Sequence, residues 1–179
     1  MSEQNNPLNS PCITFHKGNQ SCVTGLFSPL ASEDSTRVSL ESIRNGQDSL
    51  NKHRQKLLAR VPNSNDWSRF DLNSVTNKDL AYLSAETGDE FALMRGKNED
   101  VLFHGTTDNC ALEKDTLLMD LLKSHKLRLE CHSHPDYERI IPSKEDRAFI
   151  KYIDQKESKI ISSYTGKEIT FTSDPFSIM

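Results

Sequence analysis

Two short stretches decide how this chain is read: Cys131-His132-Ser133-His134-Pro135 and Pro142-Ser143-Lys144-Glu145-Asp146. Leu127–Cys131 reads as a strand that runs into His132. His132 and His134 are two residues apart, so strand alternation sends both imidazoles to one face. Their backbones are then about 6–7 Å apart, close enough for both rings to reach a single ion. Pro135 has no N–H for the ladder, so the strand stops there and the histidines sit at its mouth. Asp146 follows His134 by twelve residues and falls in the first turn of the next predicted helix. Two imidazoles, one carboxylate and a water form a zinc site with an open position, which is the catalytic arrangement. The same residues also read locally: Ser143 with an acid three residues on is a helix start, and on that reading Asp146 serves only the cap.

Working outward, Ser143–Lys156 reads as a helix with Phe149, Ile150 and Ile153 on one face. Ile160–Ser163 and Glu168–Thr172 read as a closing hairpin around Thr165-Gly166. Upstream, Asp115–His125 carries the Leu117, Leu118, Leu121, Leu122 pattern of an amphipathic helix. Glu90–Met94 and Val101–His104 form a hairpin across a polar turn. Thr76–Ala85 reads as a helix, with Thr76 able to cap it and Asp79 three residues later. The order α, β, β, α, β, α, β, β predicts an α/β or α+β domain built on a mixed sheet with flanking helices. Residues 36 to about 60 read as one amphipathic helix in which Ile43, Leu50 and Leu57 recur every seven residues. Gly46 weakens it, and Pro62 with the polar cluster Asn63–Asp66 ends it. This helix is expected either to pack on the domain or to serve in self-association or partner docking. The first 35 residues show no periodicity and read as a loop or weakly ordered arm. The division expected is a polar arm and helix over 1–70 and a folded domain over 71–179.

Composition narrows the function. The chain has 179 residues, 35% apolar and 27% charged, with a net charge of −4. No overall basic field would draw it to nucleic acid or to an anionic membrane. No apolar run approaches a membrane span, and the N-terminus lacks the basic-then-apolar order of a signal peptide. The four cysteines, Cys12, Cys22, Cys110 and Cys131, form no CxxC, so they read as reduced thiols of a cytoplasmic protein. Zinc ribbons and zinc deaminases, which need paired cysteines, are excluded. Barrel hydrolases carry HxH on a first strand. Here 131 residues precede the motif and 45 follow His134, so that reading fails too. Cys131 alternates away from His132 into the core. His104 ends its strand and reads as structural, although it could face the same cleft. Asp136, Glu138 and Arg139 lie in the loop between the two motifs.

His132-Ser-His134-Pro with Ser143-x-x-Asp146 resembles the signature of the JAMM (MPN, or JAB-domain) zinc metalloproteases. That family includes deubiquitinating isopeptidases and prokaryotic relatives that cut ubiquitin-like tails. Its pattern places seven residues between the second histidine and the serine, whereas this chain has eight. The extra residue falls in the loop Pro135–Pro142, where insertions are tolerated. The resemblance covers roughly residues 75–175. It implies a three-layer fold like that of the cytidine deaminases, and Zn²⁺ held by His132, His134 and Asp146. It also implies a glutamate on a strand one hairpin and one helix upstream, a place occupied by Glu90. In that scheme Glu90 is the general base and Ser143 donates to the oxyanion. The implied activity is hydrolysis of a peptide or isopeptide bond in a protein or peptide substrate, a ubiquitin-like tail among them. A narrower similarity, carried by Gly88-Asp-Glu-Phe-Ala-Leu and Thr165–Ser173, is to JAMM-like modules of phage and prophage proteins. It leaves open a non-hydrolytic alternative, a structural or docking part of a phage assembly.

Overall fold

The computed structural model describes residues 38–135 and 140–175. The chain divides into two units, Met1–Ser35 and Thr36–Met179, and every described residue belongs to the second. The expectation of a weakly ordered N-terminal arm therefore lies outside the described residues, as do Asp136, Glu138 and Arg139.

Among the described residues, six strands form one mixed sheet. They are β1 (Trp67–Asp71), β2 (Phe91–Gly96), β3 (Glu99–His104), β4 (Leu127–His134), β5 (Glu157–Ser162) and β6 (Glu168–Thr172), in the spatial order β1-β3-β2-β4-β5-β6. All pairs are antiparallel except β4 with β5. That parallel pair needs a crossover, which α5 (Lys144–Tyr152) supplies. The remaining helices are α1 (Leu40–Arg44), α2 (Lys52–Arg60), α3 (Asn77–Thr87) and α4 (Thr116–Lys123). The expected mixed sheet with flanking helices is therefore present.

Each face of the sheet has its own core. On one, Phe91, Leu93, Leu102, Cys131 and Ile161 meet α3, which is buried nearly all round because α1 and α2 cover its outer side. On the other, Ala92, Met94, Phe103, Leu129 and Ile160 meet Leu118 and Leu122 of α4 and Ile150 of α5. Helices thus cover the sheet on both faces.

Two expectations need correcting. The helix read over residues 36 to about 60 is two helices. The chain turns after α1 through Gly46, whose φ of 67° lies in the left-handed region. The seven-residue repeat still has a physical basis, since Ile43, Leu50 and Leu57 all reach the core, but from two helices and the segment between them. These three apolar residues pack inside the domain. The boundary at 70/71 falls within β1, which pairs along its whole length with β3. Its sequence, Trp-Ser-Arg-Phe-Asp, does not alternate cleanly, because an edge strand has only one neighbour and neither of its faces is fully covered.

One irregularity positions the site. Between β2 and β4 the register steps from Leu93↔Cys131 to Met94↔Leu129, one residue on β2 against two on β4. This is a bulge at Glu130, whose side chain is held by Lys159 at 3.5 Å and Arg95 at 3.9 Å. It re-phases β4. Leu127 and Leu129 pack into the second core, and beyond the bulge His132, paired with Ala92, faces the same side. In a regular strand Leu129 and His132 would point to opposite faces.

Candidate metal centre

Because β4 and β5 run parallel, the connection from the end of β4 returns through α5, and the N-terminus of α5 comes back to the mouth of β4. Ligand sites in such units form at the carboxyl ends of the strands. Here that geometry brings three predicted residues together. His132 Nε2 lies 3.1 Å from His134 Nε2 and 3.1 Å from Asp146 Oδ1, and His134 Nε2 lies 3.7 Å from Asp146 Oδ2. His132 is buried, with its ring edge against Phe171 at a centroid separation of 6.0 Å. His134 and Asp146 are partly buried at the surface of the cleft.

Asp146 serves the helix start and the cluster at once. Ser143 caps α5: its Oγ accepts from the Asp146 N–H at 2.9 Å, and its own N–H donates to Asp146 Oδ2 at 2.7 Å. This leaves Oδ1 directed at His132. One oxygen of Asp146 thus serves the helix cap, and the other is turned toward the histidines.

The three side chains of the cluster shift one another's protonation in opposite directions. Burial lowers the His132 imidazole, but the Asp146 hydrogen bond and the charges of Asp146 and Glu90 outweigh it, so the net shift is upward. His134 moves the other way, to about 4, through burial and then the neighbouring His132 charge. Burial would raise the Asp146 carboxyl, yet the His132 ring and Ser143 hold it well below the usual carboxylate range. The cluster thus favours one positive charge among three ligand atoms.

The spacing of the three ligand atoms suits a divalent ion. Ligand atoms at the zinc distance of about 2.0–2.1 Å in tetrahedral array are separated by roughly 3.3 Å. The separations of 3.1 and 3.1 Å around His132 lie close to that edge, and 3.7 Å exceeds it only modestly. His132, His134 and Asp146 could each offer one ligand atom, all within 4.8 Å of one another. His132 Nδ1 is buried with no hydrogen-bond partner, so the ring is oriented by the Nε2 side and by packing alone.

The cluster opens into a cleft of about 830 Å³, a size suited to a bound ligand. Glu90 and Ser143 line it alongside the three cluster residues. Glu90 immediately precedes β2, and alternation from Ala92 puts it on the face that carries His132. Its backbone is pinned to the loop after β3: its N–H donates to Thr106 at 2.9 Å and its carbonyl accepts from Gly105 at 2.7 Å.

The sequence reading missed Cys110. Its thiol lines the cleft beside Glu90. Burial, then the Glu90 and Asp146 charges, push it well above the ordinary thiol range, so it stays protonated and able to donate. A Cβ added to Gly105 would lie 2.8 Å from Cys110 Sγ and 2.5 Å from the Asn109 carbonyl, so only glycine allows this close approach. No cysteine spacing could have signalled this role, which follows from how the loop folds back on Glu90.

His104 does not face the cleft. It is buried on the other side of the sheet, stacked on Phe91 at 4.3 Å, with Nδ1 2.8 Å from the Val61 carbonyl and Nε2 3.0 Å from Asp89. Cys131 lies buried in the first core, as its alternation implied.

The chain matches no family model, no curated protein and no solved structure.

Proposed function

We propose that this chain is a zinc-dependent metallopeptidase of the JAMM type, hydrolysing a peptide or isopeptide bond. The observation that carries the reading is the convergence of His132 Nε2, His134 Nε2 and Asp146 Oδ1 at the mouth of a cleft that Glu90 and Ser143 also line. When bound, Zn²⁺ would supply Lewis acidity to a water and to the scissile carbonyl. His132, His134 and Asp146 would hold it, and the Ser143 N–H would fix the Asp146 carboxylate.

Glu90 takes the proton of the attacking water on its carboxylate and delivers it to the leaving amine. The Cys110 thiol, held protonated, stands beside that carboxylate in the cleft. Ser143 Oγ accepts from the Asp146 N–H and can direct its own hydrogen at the developing oxyanion. Phe171 and Leu129 close the floor of the cleft against water. Among the described residues no helix is long and apolar enough to cross a membrane. Cys110 and Cys131 are unpaired thiols, which supports a cytoplasmic setting.

The test is elemental analysis of the purified full chain, followed by digestion of a peptide library with the zinc-loaded protein and with Glu90→Gln. The expected result is one equivalent of zinc and cleavage that Glu90→Gln abolishes. Zinc without cleavage would favour the docking-module alternative. No zinc, even after loading, would remove the reading altogether.

A further inference from the structure

Resting on that peptidase reading, we propose that the cleft selects cationic peptides, with lysine or arginine side chains flanking the bond presented to His132, His134 and Asp146. The cleft is marked as a binding site by its volume and its ligand cluster; its charge decides what enters. Five carboxylates line it, Glu90, Asp108, Glu113, Glu145 and Asp146, and no lysine or arginine does so among the described residues. The chain has 22 lysines and arginines, so this is a matter of placement and not of supply.

Several acids outside the cleft are paired with a nearby base. Asp79 pairs with Arg54, Asp100 with Arg95, and Glu130 and Glu168 with Lys159. Asp108, Glu113 and Glu145 have no ion-pair partner among the described residues, and all three are exposed. They stand on both walls. Asp108 lies in the loop after β3 and Glu113 in the short 3-10 turn Leu112–Lys114, while Glu145 is in the first turn of α5. The neighbouring Lys114 and Lys144 do not line the cleft. The lining stays negative even with a divalent ion in place, and a cleft of one sign between low-dielectric walls concentrates ligands of the other.

The walls also suit long basic side chains. Ile141 is 52% exposed and Tyr152 59% exposed, unusual for large apolar residues beside a site. Aliphatic stems of lysine and arginine can lie along such surfaces with their charged ends toward carboxylates.

The experiment uses short fluorescein-labelled peptides in which alanine alternates with lysine, glutamine or glutamate, titrated into the full chain at low salt and followed by anisotropy. The lysine peptide should bind about tenfold more tightly than the glutamine peptide. The triple variant Asp108→Asn, Glu113→Gln, Glu145→Gln should lose that preference. A control triple, Asp48→Asn, Glu86→Gln, Asp120→Asn, changes net charge equally on other surfaces and should keep it. Equal binding of the three peptides would overturn the proposal. So would a preference that survives the cleft triple, or one that the control triple also loses. The same titration on His132→Ala separates the two readings: a retained lysine preference upholds the selectivity even if the zinc-loaded protein cuts nothing.

Discussion

His104 and His132 are both buried histidines on strands flanking β2, and they pair there with consecutive residues, Phe91 and Ala92. Consecutive positions point to opposite faces, and the two rings meet different surroundings. His104 enters the sealed face under α1–α3, where both ring nitrogens find protein acceptors. His132 enters the face under α4 and α5, where the crossover leaves a cleft. There its Nδ1 has no partner, and its Nε2 sits between a second imidazole and a carboxylate. One residue type is thus a satisfied core group on one face and a candidate ligand on the other. The distinction lies in what the protein leaves unsatisfied: a histidine with both nitrogens occupied has nothing to offer an ion.

Substitutions on the two faces should separate accordingly. The largest effect is expected from His132→Ala or His134→Ala, which should weaken zinc binding by more than about 100-fold in competition with a chromophoric chelator. His104→Ala should leave zinc affinity unchanged. A fall in affinity with His104→Ala would break the comparison.

Glu90→Gln comes next. It should retain zinc and lose about 10²–10⁴-fold in cleavage rate. Loss of zinc in that variant would make Glu90 a ligand and not a base.

On the sealed face, Leu80→Ala should cost about 2–5 kcal/mol in urea unfolding, because α3 is enclosed on both sides and the cavity cannot collapse. Zinc stoichiometry should be unaffected where the protein remains folded. His104→Ala belongs to the same experiment, with roughly 1–3 kcal/mol expected for each acceptor left stranded.

The smallest effect is that of Ser143→Ala, about 1 kcal/mol of stability through the lost cap. It bears on both regions, since the same hydroxyl would serve the oxyanion. A rate loss well beyond the stability loss, measured on folded protein, would confirm its second role. Equal small losses would reduce Ser143 to a cap.

The candidate site was legible in the sequence because its parts obey local rules. His132 and His134 share a face by strand periodicity, Pro135 ends the strand, and Ser143 with Asp146 announces a helix start. Thr76 and Asp79 announced α3 in the same way, and a reciprocal cap is present there too. What was misread depended on contacts distant in sequence. β1 carries no strong alternation because its stability comes from pairing with β3, thirty-odd residues later. The two helices over residues 40–60 looked like one because each sends residues of a single seven-residue repeat into the same core. Cys110 could be found only by seeing its loop return to Glu90.

The sequence by itself determined the candidate ligand types, their order and the elements that present them, since helix caps and strand alternation act over a few residues. The tertiary structure decided the rest. The bulge at Glu130 let apolar Leu129 and the candidate ligand His132 share a face, and the parallel pairing of β4 with β5 brought Asp146 back to the histidines. Both are set by sheet register and chain crossover. Those depend on which strands pair, and no short stretch of sequence encodes that.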